Sequence, residues 1–211
     1  MSVTDAYLNA AAMAAALLRR SEVTAAWEQP SALPKMTVGA LAGHLGYQIF
    51  SVAPTLDAPV SEQPPISLLE HYARATWIEA PLDDAANAGI RDRGANIGAQ
   101  GPAELSKRAE AAVSELRTRF ADLDDSQPVF LPEKDWALSL GDFLTTRLLE
   151  LAVHMDDLAV SVGQAAPELP DSAFDPVLVL LARLAARRHG QVALLRALSR
   201  VERAQGAINA I

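Results

Sequence analysis

The sequence predicts an all-α protein, and two observations support this prediction. Half of the 211 residues are hydrophobic, with alanine and leucine the commonest, while aromatic residues make up only 5%. Alanine and leucine favour helices, whereas strands are enriched in β-branched and aromatic residues. In addition, long apolar segments are separated by short loops that contain proline, a pattern typical of a helical bundle. The chain is long enough to bury one sizeable core.

Three helices are expected in the N-terminal half of the chain. The first is alanine-rich and covers about Thr4–Trp27, because Pro30 follows it. Thr37 has the side chain of an N-cap residue, so the second helix is expected from Val38 to about Ala53. Its glycines, in the motif AGHLG, are interpreted as sites of close helix packing. After a proline-rich irregular stretch, the third helix is expected at about Ile66–Ala80.

The next two helices are expected in the middle of the chain. The fourth is expected over Asp83–Phe120, with an interruption near Gly101-Pro102. A loop at 122–135 contains two prolines, with a short extended piece at Val129–Leu131. The fifth helix is expected over Leu138–Val162, which is apolar on almost every face and is therefore predicted to be buried all round.

The chain is expected to end in an arginine-rich helix. A linker at 163–176, rich in proline and acidic residues, precedes a sixth helix over about Val177–Ala204. The sequence therefore predicts two parts: a helical bundle at 1–165, and a linker with a C-terminal helix at 166–211. Six arginines and two acidic residues fall within 175–211, a local charge of +4, while the other 174 residues carry 12 basic and 24 acidic residues. We expect the last helix to pack on the acidic bundle; a nucleic-acid or membrane patch is the alternative.

Composition excludes several classes of protein. The net charge of −8 argues against general nucleic-acid binding. The absence of cysteine excludes disulfides, cysteine-ligated zinc and a protein thiol nucleophile, and it is compatible with a cytoplasmic location. No apolar run is long enough to span a bilayer. The run Ala10–Leu18 lacks a basic leader, so it is interpreted as core helix rather than as a signal peptide. We expect no nucleic-acid or membrane partner.

A polar stripe interrupts the buried fifth helix. At spacings of 3, 4, 3 and 4, its members fall within roughly 80° of one another on a helix. The stripe comprises Arg147, Glu150, His154, Asp157 and Ser161. Ionisable groups on a buried helix are costly unless they pair or bind a metal. The stripe is therefore the predicted functional site.

Within this stripe, Glu150 and His154 lie one turn apart and can bind one metal ion together. A catalytic metal needs a third protein ligand. His44 on the second helix is the candidate, although a histidine there also fits an ordinary core position. Of the two remaining histidines, His71 is expected at the surface, and His189 lies among arginines, which disfavour a cation site.

The segments TVGALAGHL and FLTTRLLELAVHMDDLAVSVG resemble the metal-binding domain of the mycothiol-dependent maleylpyruvate isomerases, in the DinB-like superfamily. The C-terminal segment RRHGQVALLRALSRVERA resembles the tail of a single-domain branch of that group. Together these likenesses cover nearly the whole chain. They imply a DinB-like four-helix bundle with an additional C-terminal helix. They also imply a divalent metal, usually zinc, held by His44, Glu150 and His154.

The resemblance further implies what the site does. In the family, the metal presents a low-molecular-weight thiol, mycothiol, to a small electrophile, which is isomerised or receives the thiol. The isomerase has a further C-terminal domain, whereas about 40 residues follow Pro170 here. A metal-dependent thiol S-transferase is therefore expected rather than the isomerase itself. The alternatives are a non-catalytic metal-binding bundle with a structural or regulatory role, and a module that binds a partner through its last helix.

Four further residues are candidates for the site. Arg147 would bind a substrate carboxylate and Asp157 would orient a ligand imidazole, so both are assigned catalytic roles. A structural salt bridge is the alternative for each. Tyr47 and Gln48 follow His44 by about one turn and would line a cofactor pocket, or else pack in the core. On another face of the fifth helix, Asp156 would meet a neighbouring helix or the second subunit of a homodimer.

Overall fold

The structure is a computed structural model that describes residues 2–59, 64–78, 80–204 and 206–211. Its helices and strands follow in chain order as α1 (Val3–Leu18), α2 (Ser21–Ala25), α3 (Val38–Phe50), α4 (Val52–Leu56), α5 (Leu68–Ala73), α6 (Ala85–Gly98), α7 (Pro102–Arg119), β1 (Pro128–Leu131), β2 (Trp136–Ser139), α8 (Leu140–Ser161), α9 (Asp171–His189) and α10 (Gln191–Ser199). The predicted all-α fold class is confirmed.

Helices α1, α3, α7 and α8 form a four-helix bundle around the core. Both α1 and α3 pack against α7 and α8, so each helix of the bundle has two neighbours. Large side chains such as Tyr7, Leu41, Leu105 and Leu148 are fully buried between them. Outside this bundle, α6 packs along α3, and α9 packs on α8 and α1. The division into two domains at residue 165 stays a prediction.

Side-chain caps begin three of the four bundle helices. Ser2, Thr37 and Ser139 precede α1, α3 and α8, and each side-chain oxygen accepts a hydrogen bond from the backbone N–H three residues later. Such caps satisfy donors that the first turn of a helix leaves free. The predicted N-cap at Thr37 is confirmed, and it determines where α3 begins and hence which α3 side chains face α8.

Glycines bring α3 and α6 into backbone contact. A Cβ atom added to Gly43 would overlap the carbonyl oxygen of Gly94, and one added to Gly98 would overlap that of Gly39. No residue with a side chain fits at these positions while the helices stay this close. The interpretation of the α3 glycines as packing sites is confirmed.

The predicted helix boundaries are wrong in three places in the first half of the chain. The first predicted helix breaks after Leu18 into α1 and α2, and the second breaks at Ser51 before the short α4. The third shrinks to the six residues of α5, although residue 79 at its predicted end lies outside the described residues. The fourth is interrupted as predicted, because α7 starts with Pro102 at its first turn.

A small antiparallel hairpin precedes α8. The predicted extended piece is confirmed within β1, which pairs with β2 so that Pro128 faces Ser139 and Leu131 faces Trp136. The second strand was not predicted, because a short apolar run before a helix has no periodicity that separates strand from helix. The fifth predicted helix therefore begins at Leu140, two residues after its predicted start at Leu138.

The C-terminal helix also differs from its prediction. α9 starts at Asp171, five residues before Pro176, which lies inside the helix. A proline close to a helix N-terminus removes only one backbone hydrogen bond. Gly190, at φ 87°, then ends α9 and starts α10, so the predicted single helix is two. No helix among the described residues combines the length and apolar character needed to cross a membrane.

Candidate metal centre

Adjacent helices of the bundle bring three donor side chains together. His44 comes from α3, while Glu150 and His154 lie one turn apart on α8. The two Nε2 atoms are 3.1 Å apart, and Oε2 of Glu150 lies 3.3 Å from Nε2 of His154 and 3.5 Å from that of His44. The structure therefore assembles the three residues that the sequence analysis selected as metal ligands.

The spacing of these donor atoms suits a tetrahedral ion. Zinc binds histidine nitrogen and carboxylate oxygen at about 2.0–2.2 Å, which places ligand atoms about 3.3 Å apart at the corners of a tetrahedron. The three measured separations, 3.1, 3.3 and 3.5 Å, centre on that value. All three side chains are largely buried, with 7%, 15% and 16% of the His44, Glu150 and His154 side chains exposed.

The same proximity holds Glu150 in its charged form. Burial alone would raise the pKa of this carboxyl, but hydrogen bonds with His154 and His44, together with the charges of His154 and Arg147, hold the pKa well below its usual range. A carboxylate that stays ionised inside the bundle is a ready ligand for a cation.

Asp157 determines how the ring of His154 is oriented. Its Oδ2 lies 2.9 Å from Nδ1 of His154, so this side of the imidazole donates to Asp157 and Nε2 faces the other donors. Burial would lower the pKa of His154, but hydrogen bonds to Asp157 and Glu150 outweigh it and raise the pKa to about 9. On His44, Nδ1 is buried and has no hydrogen-bond partner among the described residues.

Arg147 is held by neutral groups. Its Nη1 donates to Oε1 of Gln48 at 2.7 Å, and its Nε donates to Oγ1 of Thr146 at 3.1 Å. Gln48 is buried and also donates from Nε2 to the carbonyl oxygen of His44 at 3.2 Å. Within the described part of the chain, no carboxylate forms an ion pair with Arg147, so the salt bridge considered as its alternative role is not found.

A cleft of about 1130 Å³ opens beside these donor atoms. His44, Glu150 and His154 line it together with Arg147 and the candidate cofactor residues. Much of its remaining wall is aromatic, contributed by Tyr47, Phe50, Tyr72, Trp77 and Phe143. A ligand in this cleft would therefore meet both the donor atoms and an apolar wall.

Several residues of this cleft were not predicted from the sequence. His71, expected at the surface, lines the cleft and accepts a hydrogen bond from Nε1 of Trp136 at 3.2 Å. Burial and the charge of Arg147 lower the pKa of His71 to about 4. Arg93 lines the cleft as well. The spacing of Gly94 and Gly98 in α6 was a usable signal for Arg93, because it predicts that α6 lies close to another helix.

Comparison with known proteins identifies the family of this chain. The family model described as mycothiol maleylpyruvate isomerase N-terminal domain matches residues 8–159, which include all three donor residues. No curated protein matches the chain in sequence. Two crystal structures of mycothiol-dependent maleylpyruvate isomerase, one of them a mutant, are similar at 17% and 18% identity, each with a TM-score of 0.52.

Each similarity covers 88% of this chain and 72% of the solved chain. At this identity the solved structures support the fold, and the family match covers most of the bundle together with both helices that carry the donor atoms. The chain belongs to the family of the mycothiol maleylpyruvate isomerase N-terminal domain.

Proposed function

We propose that this protein is an enzyme that holds a divalent metal, zinc, with His44, Glu150 and His154 and uses it to activate mycothiol. The activated thiol is transferred to a small electrophile or isomerises it. The observation that carries the proposal is the near-tetrahedral spacing of three donor atoms beside a large cleft. Three protein ligands leave a zinc ion open to a further ligand.

The chemistry follows from the lack of cysteine in the chain. A free thiol has a pKa of about 8.5, and a bound metal ion supplies the positive charge that keeps the thiol deprotonated and nucleophilic at neutral pH. Because the protein has no thiol of its own, the thiol must be a small molecule. Membership of a family described by mycothiol supports that compound as the cosubstrate.

The residues around the donor atoms have distinct parts in this proposal. Asp157 orients the His154 imidazole and is a positioning residue. Arg147 presents a positive charge to an anionic electrophile, and Gln48 holds the guanidinium in place. Tyr47 forms part of the wall that contacts the thiol cosubstrate.

Thiol consumption by zinc-loaded protein tests the proposal. Metal content is measured first, and we expect about one ion per chain. Loss of mycothiol is then followed with a panel of small electrophiles, with free zinc at the same concentration as the baseline. We expect turnover above that baseline, abolished in Glu150→Ala and impaired mainly for acidic substrates in Arg147→Ala. Stoichiometric zinc without turnover would favour the alternative, a non-catalytic metal-binding bundle. Absence of metal would refute both the enzyme and the metal-binding bundle.

A further inference from the structure

The cleft is positively charged although the protein is acidic. The net charge of the chain is −8. Four basic side chains line the cleft, from Arg93, Arg108, Lys134 and Arg147. The described carboxylates that line it are those of Glu133, of Glu150 and of the last residue, Ile211. In the function proposed above, Glu150 would also be neutralised by the metal. A cleft with this balance of charge attracts anions.

Two of these arginines are stacked on aromatic rings. Cζ of Arg93 lies 4.0 Å from the ring centre of Tyr47, and Cζ of Arg108 lies 4.0 Å from that of Phe50. Tyr47 and Phe50 are three residues apart on α3, so their rings are neighbours on one face of the helix. Stacking on a ring fixes the plane of a guanidinium while leaving its edge free to bind an anion.

Neither guanidinium has a partner of opposite charge. Among the described residues, no carboxylate forms an ion pair with Arg93 or Arg108, and neither donates a hydrogen bond to another group. Nε of Arg93 is buried and has no hydrogen-bond partner among the described residues. By contrast, Arg19 and Arg119 at the surface pair with carboxylates. Arg93 is half-buried, so its unpaired donors cost free energy that an anionic ligand would recover. Arg108 is exposed, and its guanidinium can bind an anion from the rim of the cleft.

The close packing of α3 and α6 places Arg93 beside the candidate metal centre. Gly94, next to Arg93 in the chain, is so near that an added Cβ atom would lie 3.2 Å from Cβ of His44. Tyr47 is three residues from His44 on α3. A ligand that reaches the donor atoms can therefore also reach Arg93.

We propose that Arg93 and Arg108 form a carboxylate-binding subsite that selects an anionic electrophile and holds it beside the metal centre. The subsite is separate from Arg147, whose guanidinium is held by Gln48 and Thr146. The inference rests on the proposed function in assigning the carboxylate to the electrophile. The binding property itself belongs to the arginines and does not need the metal.

Calorimetric titration with succinate tests the subsite, with neutral succinamide as the matched ligand. Metal-free protein is used, because a carboxylate would also bind zinc. We expect saturable binding of succinate in the millimolar range or tighter and none of succinamide. Arg93→Gln and Arg108→Gln should each weaken succinate binding at least about tenfold, as expected for loss of a charge-assisted hydrogen bond. Arg117→Gln removes the same charge from an exposed position of α7 and should leave binding unchanged.

A kinetic measurement on the zinc-loaded protein identifies which reactant carries the carboxylate. For an acidic electrophile, Arg93→Gln should raise KM with little change in kcat. For a neutral electrophile, and for the thiol, KM should stay at the wild-type value. An increase in the KM of the thiol alone would overturn the assignment to the electrophile.

Circular dichroism checks that each variant folds. If Arg93→Gln does not fold, Arg93→Lys replaces it in the titration, because lysine keeps the charge but lacks the planar guanidinium. Equal succinate affinity in wild type and in the Arg93 and Arg108 variants would overturn the subsite, as would absence of saturable binding to wild type. A protein that binds no zinc but still binds succinate through these arginines would refute the proposed function and leave the subsite intact.

Discussion

At the scale of single residues, the polar stripe of α8 is tolerated because its charged members have hydrogen-bond partners. His154 contacts Glu150 on one side and Asp157 on the other, and Arg147 donates to Gln48 on α3. Each charge therefore has a partner inside the bundle, which offsets the cost of burial. The periodicity of the sequence located the stripe, but only the structure showed that Arg147 binds an amide rather than a carboxylate.

Asp157→Asn should weaken metal binding by about 10- to 100-fold, the range typical for loss of a group that orients a metal ligand. The neutral amide lacks the carboxylate's charge and can donate to Nδ1 as well as accept from it, so the His154 ring is no longer held in one tautomer and orientation. Competition with a chelator of known zinc affinity measures the change. Asp156→Asn, an exposed neighbour with the same loss of charge, is the control. Equal weakening in both variants would show a general charge effect instead.

His71 should make the protein less stable in mild acid. Its pKa is lowered to about 4, mainly by burial, against 6.5 for the unfolded side chain. Between these values the unfolded chain binds a proton that the folded chain does not, so stability falls as pH decreases from about 6.5 to 4. This loss, about 1–3 kcal/mol, should be absent in His71→Gln.

Urea unfolding of wild type and His71→Gln at several pH values measures this difference, with His189→Gln, outside the cleft, as the control for loss of a histidine. Parallel pH profiles for wild type and His71→Gln would contradict the prediction.

At the scale of helices and strands, local signals predicted where most elements lie but not all of their ends. Thr37 and the Gly101-Pro102 pair marked real boundaries, because capping and proline geometry act within one turn. The second strand of the hairpin and the start of α9 before Pro176 were missed. The second strand is a short apolar run with no clear periodicity of its own. α9 extends past Pro176 because the rest of the helix outweighs one lost hydrogen bond.

Gly43→Ala should destabilise the protein by about 1–3 kcal/mol, the usual cost of overpacking a tight contact. The new methyl group would overlap the carbonyl oxygen of Gly94, so α6 must move away from α3. Gly89→Ala in α6 is the matched control, because nothing lies within 4 Å of its added Cβ atom. Because alanine has a higher helix propensity than glycine, Gly89→Ala should stabilise the protein by up to about 1 kcal/mol. Thermal and urea unfolding compare the two variants, and a neutral Gly43→Ala would show that the helices separate at no cost.

At the scale of the whole molecule, the candidate metal centre is small beside the core that supports it. The bundle buries large apolar side chains on all four of its helices, and the three donor residues join only α3 and α8. Fold and site therefore differ in what they require: packing along four helices stabilises the fold, while the site depends on one contact between two of them.

Removal of metal should lower the melting temperature without unfolding the bundle. A metal ion that binds only the folded state adds to its stability, and chelation removes that contribution. Circular dichroism before and after chelation should show the same helix content but an earlier melt, and zinc should restore it. Loss of the helical signal on chelation would mean that the metal holds the fold together.

From the sequence alone, the all-α class, the polar stripe of α8 and the burial of most of that helix could be predicted, although Asp156 and Val160 near its end are exposed. The metal-binding role of His44, Glu150 and His154 stays a prediction. These predictions depend on hydrophobic periodicity, on the spacing of residues along one helix and on a recognisable motif, which are all local. A homodimer and a two-domain division were also predicted and stay predictions.

Only the tertiary structure decided which side chains share the cleft. Arg93 and His71 reach it because α6 and α5 pack where they do, and the distance between His44 and His154 depends on the packing of α3 against α8. Helix packing is set by side chains far apart in the chain, which no local pattern records. The charge of the cleft, opposite to that of the whole chain, follows from the same packing.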